Sequence, residues 1–156
     1  MTPFRLRKDA RKWFKELEHG FDSDAPQFEM FYFCLIAGLA ARKKIDVPAA
    51  DTAELVDYFP GEFRAKGRVI VAWFLARELA ALGIQMTEKR ALHTSISQLV
   101  DPLSPSHLSE AGVKEMNRYS FGGFEVLTEW LEDSPRAIET FLPLFKAKID
   151  SVAGAE

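Results

Sequence analysis

Met30-Phe31-Tyr32-Phe33-Cys34-Leu35-Ile36 is apolar on every side when wound into an α-helix, and a helix of that kind has to be buried all round. The pattern runs from about Pro26 to Lys43, with Asp24 and Gln27 spaced as a capping box at its start. The sequence therefore places a central helix here, with other helices around it. Upstream, Leu6, Ala10, Trp13, Phe14 and Leu17 recur at helical spacing on one face, and Gly20 marks a stop. Downstream, Asp51 and Glu54 form a second capping box, opening a short helix that ends before Pro60. A fourth helix is expected from about Glu62 to Leu82, stopping at Gly83. Between Val69 and Leu82 only Arg77 and Glu78 are charged, which marks a second largely buried helix whose charges need a structural ion pair.

Thr87 is placed to cap a fifth helix, with Leu92, Ile96, Leu99 and Val100 on one face. Asp101-Pro102-Leu103-Ser104-Pro105-Ser106 is the strongest breaker in the chain. Beyond it Ser109 starts a helix through Val113, Met116 and Tyr119. Gly122-Gly123 is expected to interrupt that helix before the pattern resumes at Phe124, Leu127 and Leu131. The last helix opens on Ser134 and Pro135 as N-cap and first turn. It carries Ile138, Leu142, Phe145, Ile149 and Val152, with Pro143 as a kink. No strand pattern persists. The expected fold is all-α, a single-domain irregular or orthogonal bundle of about seven or eight helices with two largely buried central ones. One domain spans residues 1–156, with the 101–106 breaker as the candidate subdivision.

Composition agrees with a packed domain. Hydrophobic residues make up 47% and charged residues 28% of 156, which excludes disorder and a fibrous chain. Thirteen Phe point to a core built on large aromatic rings. Cys34 is the single cysteine, so an intrachain disulfide is excluded, and its apolar setting suits packing. The N-terminal stretch lacks the apolar stretch of a secretory signal, and no apolar run reaches the ~20 residues a membrane helix needs. A cytoplasmic protein with no membrane partner is expected.

The net charge of −3 hides an alternation. Residues 1–20 carry six basic and three acidic side chains, and residues 21–60 carry three and seven. Residues 61–100 carry six and three, and residues 101–156 carry five and ten. Such blocks neutralise one another within the fold or leave faces of opposite sign. Arg5, Arg7, Lys8, Arg11, Lys12 and Lys15 surround the first apolar stripe, and Arg42-Lys43-Lys44 follow the central helix. Together they form the candidate surface for nucleic acid or another acidic partner, because long cations track phosphates. The alternative is a solvated helix face with pairs such as Arg5–Asp9 and Lys12–Glu16, and cations at a helix C-terminus.

Chemistry of other kinds finds little support. His19, His93 and His107 lack ligand spacing, and Asp22-Ser23-Asp24 lacks the glycine and terminal glutamate of a calcium loop. Asn117-Arg118-Tyr119-Ser120-Phe121-Gly122-Gly123-Phe124 has no phosphate-loop spacing, so its glycines read as sites of close packing. No catalytic residue, metal or cofactor is expected. The leading expectation is a non-catalytic helical interaction module, a subunit or adaptor of a larger assembly, with another protein or a second copy as partner. Phe21, Tyr58, Phe59, Phe63 and Tyr119 are its candidate aromatic anchors. The alternative is a nucleic-acid-binding accessory protein that uses the basic first helix.

Overall fold

The computed structural model describes residues 2–21 and 25–154. They form a mostly helical fold with six α-helices and one small sheet. In chain order these are β1 (Arg5–Arg7), α1 (Lys8–Trp13), α2 (Pro26–Ala41), β2 (Thr52–Glu54), α3 (Phe63–Ala81), α4 (Lys89–Leu99), α5 (Glu110–Trp130) and α6 (Ile138–Gly154). Short 3-10 turns occupy Lys15–Leu17 and Ala49–Asp51. Asp24 and the acidic pair it forms with Asp22 lie outside the described residues. Ala25 stands at the N-cap of α2, and Pro26 opens the helix.

Six helices replace the seven or eight expected, and two misreadings account for the difference. Asp51 and Glu54 cap nothing: Asp51 ends a 3-10 turn, and Glu54 lies in β2 opposite Arg5. The second is the glycine pair, because α5 runs unbroken through Gly122-Gly123. The first helix is also shorter than expected. Arg5–Arg7 leave it to pair antiparallel with Thr52–Glu54, in the register Arg5–Glu54, Leu6–Ala53 and Arg7–Thr52. Thr87 does not cap α4, whose N-cap is Glu88. The last helix starts at Ile138, three residues beyond Pro135.

The core is built on α2 and α5, which approach until their backbones touch. A Cβ added to Gly38 would fall on the carbonyl oxygen of Tyr119, and one on Gly123 would fall on the carbonyl oxygen of Cys34. A Cβ on Gly122 would meet the carbonyl oxygen of Lys43. Glycine is the residue that permits such approach, so the pair serves packing. Ser120 donates its hydroxyl to the Phe31 carbonyl across the same interface at 3.4 Å.

α5 is thus the second central helix, and α3 is not. Phe63, Gly67, Ile70, Phe74, Glu78 and Leu79 of α3 face inward, while Val69, Ala72, Ala76 and Ala80 lie exposed. The two charges break the apolar run at its buried edge, so hydropathy alone hides the amphipathic arrangement.

Aromatic rings fill the space around the central pair. Phe4, Phe28, Phe31, Phe59 and Phe63 form one group with centroids 5.0–6.2 Å apart. Trp13, Phe14, Phe33, Phe141 and Phe145 form a second, mostly edge-to-face. One contiguous hydrophobic cluster takes residues from both sides of the 101–106 breaker. No helix is long and apolar enough to cross a membrane among the described residues.

Candidate functional site

β1 and α1 divide the N-terminal cations into two groups. Arg5 is fixed by Thr52 at 3.1 Å and Glu54 at 3.0 Å across the sheet. Arg7 grips Asp9 with two hydrogen bonds of 2.9 and 2.7 Å, donates to the Phe121 carbonyl at 3.1 Å and lies over the Phe124 ring. Arg5 ties the two strands to each other, and Arg7 fastens the sheet to α5. The expected Arg5–Asp9 pair does not form because Arg5 is in a strand, so the two residues are not one helical turn apart.

Lys8, Arg11, Lys12 and Lys15 differ. All four are exposed, and none has an ion pair or side-chain hydrogen bond among the described residues, the expected Lys12–Glu16 pair included. With Arg7, Leu6, Ala53 and Glu18 they line a groove of about 440 Å³. Leu6 and Ala53 give it an apolar floor, and five cations and the Glu18 carboxylate line the rest.

Arg42, Lys43 and Lys44 do not extend that lining. Arg42 reverses the chain in the left-handed region at φ 55°. The N–H groups of Arg42 and Lys43 return to the Leu39 and Gly38 carbonyls, a Schellman-type ending. The reversal lays Lys43 and Lys44 against α5. Lys43 reaches Glu125 at 3.4 Å and Glu129 at 3.5 Å. Lys44 bonds both Glu78 and Glu115 at 2.8 Å and lies over the Tyr119 ring. Arg7 also contacts Glu125, so the two basic clusters adjoin, but through a shared carboxylate that neutralises them.

The Lys44 network joins the segment after α2 to α3 and α5. Glu78 is buried, and its partner arrives from the far end of α2. Burial opposes the charge on Lys44, but its bonds to Glu115 and Glu78 prevail and hold its pKa above the ordinary value. Burial likewise opposes the charge on Glu115, and Lys44 and Arg118 prevail, holding its pKa below the usual value. Burial and then Glu78 push the Tyr119 phenol upward. Arg77 sends its Nε to the Leu39 carbonyl at 2.7 Å and stacks on Trp73. The sequence signalled that Arg77 and Glu78 need partners but gave no sign that Lys44, 34 positions away, is one.

Four of the five expected aromatic anchors belong to the core. Phe21, Phe59, Phe63 and Tyr119 are buried, and Tyr58 alone of the five is exposed. Their aromatic character is spent on internal packing. Cys34 is buried too, and burial pushes its thiol pKa well up, away from nucleophilic reactivity. Among the described residues no three His, Cys, Asp or Glu side chains gather as a metal site.

Large apolar side chains are exposed elsewhere: Leu103 in the 101–106 segment, Leu142 and Leu144 on α6, and three on or just after α3. Val69 is 71% exposed, Leu82 60% and Met86 75%. With Ala72, Ala76 and Ala80, Val69 gives the outer side of α3 an apolar stripe, and Leu82 and Met86 are exposed in the segment after it. Comparison with known protein families, with curated proteins and with solved structures finds no match to this chain.

Proposed function

We propose that the chain is a non-catalytic helical interaction module, a subunit or adaptor of a larger assembly, docking through the outer face of α3. One observation carries this reading: α3 is apolar on two sides, and its second side is open. Val69, Ala72, Ala76 and Ala80 recur at helical spacing there, and Leu82 and Met86 are exposed in the segment that follows the helix. Contiguous apolar surface of this kind marks interaction sites more than scattered exposed residues do. The small alanine side chains let another helix lie close, so the expected occupant is the apolar face of a helix from a partner protein. In this reading the chain is one cytoplasmic domain that catalyses nothing and needs no cofactor. Its lone buried thiol suits a reducing compartment.

Purification of the tagged full chain from its native host, split into nuclease-treated and untreated halves, tests the proposal. A partner protein at fixed stoichiometry in both halves supports it. A chain recovered alone, monomeric in both halves, overturns it.

The α1 groove favours a second reading, binding of nucleic acid, because Lys8, Arg11, Lys12 and Lys15 converge there, none of them ion-paired among the described residues and with Glu18 as the one carboxylate in the lining. Four phosphate contacts imply a slope of log affinity against log salt of roughly −3 to −4. Replacing these four cations with Ala should abolish most of that slope, measured by fluorescence anisotropy with labelled single- and double-stranded probes. Binding that keeps its full salt dependence in the variant refutes this reading.

A further inference from the structure

A cavity of about 800 Å³ opens beside the first turns of α3, lined by Tyr58, Phe59, Arg64, Gly67, Arg68 and His107 with Ala65 and Pro105. We propose that it binds a free nucleoside phosphate.

The floor is made by the sequence at Gly67. A Cβ there would strike the Phe59 ring at 2.8 Å, so the missing side chain lets the ring lie on the helix backbone. Arg64 and Arg68 stand one turn apart on either side of this glycine. Neither guanidinium has an ion pair or side-chain hydrogen bond among the described residues, and no carboxylate is in the lining. Two planar forks at this spacing match phosphate oxygens, which guanidinium groups bind bidentately. Tyr58, 44% exposed, gives a nucleobase an aromatic face to stack on.

The opposite wall is preorganised. The turn carrying Pro105 and His107 is closed by hydrogen bonds from the Asp101 N–H to the His107 carbonyl, 3.0 Å, and from the His107 N–H to the Ser104 carbonyl, 3.1 Å. The Ser104 hydroxyl adds a bond to the Leu108 carbonyl at 2.7 Å. His107 sits in the left-handed region at φ 63°, held there by this turn. The breaker at 101–106 therefore builds one side of a cavity. Its volume falls in the range of sites for small ligands, roughly 300–1,000 Å³.

Isothermal titration of the full chain with ADP, pyrophosphate and adenosine tests the proposal. ADP should bind, pyrophosphate should bind about tenfold more weakly, and adenosine should give no heat. The Arg64→Ala/Arg68→Ala variant should lose about tenfold or more in ADP affinity, with its melting temperature unchanged. Tyr58→Ala should weaken ADP and leave pyrophosphate as before. No ADP binding to the wild-type chain at millimolar concentration, or equal binding by the double variant, overturns the site. Pyrophosphate binding as tightly as ADP overturns the assignment to a nucleoside. The test reads ligand binding through Tyr58, Arg64 and Arg68, none of them a residue of the apolar stripe, so its outcome is distinguishable from that of the docking proposal.

Discussion

A single methyl group decides whether the two central helices meet. Gly123 and Gly38 lie where a Cβ would enter the backbone of the opposing helix, which cannot move as a flexible side chain can. Gly123→Ala and Gly38→Ala should each cost about 3 kcal/mol or more, at the upper end for overpacked cores. Urea unfolding checks this, and a loss below 1 kcal/mol would mean that α2 and α5 pack more loosely than described.

Lys44 governs the polar counterpart. Lys44→Met leaves Glu78 buried with its cation gone and should cost about 2–3 kcal/mol, somewhat less than for a fully buried pair because Lys44 is partly exposed. The pH dependence follows from the two shifts. Glu115, with its pKa lowered, contributes stability in full above its unfolded value of about 4.3, and this is lost as pH falls through the folded value. Lys44, with its pKa raised, contributes in full below its unfolded value of about 10.4, and this is lost as pH rises through the folded value. Stability profiles should therefore be flatter at both ends for Lys44→Met than for wild type. Parallel profiles would show that the network does not couple folding to protonation.

At the scale of elements, Ser109 is the cap that sequence and structure share. Its hydroxyl oxygen accepts from the Gly112 N–H at 3.0 Å and its hydroxyl donates to the Gln98 carbonyl at 2.6 Å, tying α5 to the end of α4. Ser109→Ala should cost about 1–2 kcal/mol, checked by thermal unfolding, and an unchanged melting temperature would contradict the capping role. Local signals of this kind were legible: the all-round apolar α2, the Ser109 start, and the Gly83 stop with its φ of 71°. The burial of Leu6, Ala10, Phe14 and Leu17 was legible too, although Leu6 lies in a strand and Leu17 in a 3-10 turn. The stripe reports what must face the core, and a three-residue strand is too short to show alternation. Glu54 meets Arg5 through strand pairing, a partner that helical spacing does not show. In α6 the inward residue is Phe141 and not Leu142, since either choice preserves a three-or-four spacing from Ile138 and Phe145.

The whole molecule spends its chemistry unevenly. Most aromatic rings are internal, the Lys43 and Lys44 charges meet carboxylates of α3 and α5, and Arg5 and Arg7 fasten the sheet. Among the outward features are the apolar side of α3, the cationic α1 groove and the cavity beside Gly67. The cations of the α1 groove stand together in the sequence and were legible as a candidate surface, whereas the α3 surface and the cavity were not, because they depend on exposure or on residues distant in sequence. The alternating charge blocks showed that cancellation was available without showing which cations escape it. Ala76 sits in the middle of the α3 surface, away from the other two, and its side chain is exposed, so an arginine there should leave the fold intact. The decisive measurement is the solution mass, by light scattering, of the complex recovered with wild-type chain and with Ala76→Arg under identical conditions. The docking account predicts a wild-type complex of fixed mass and an Ala76→Arg chain that is folded but has lost its partner. An Ala76→Arg chain retaining the same complex, or a wild-type chain that is a lone monomer, would contradict it.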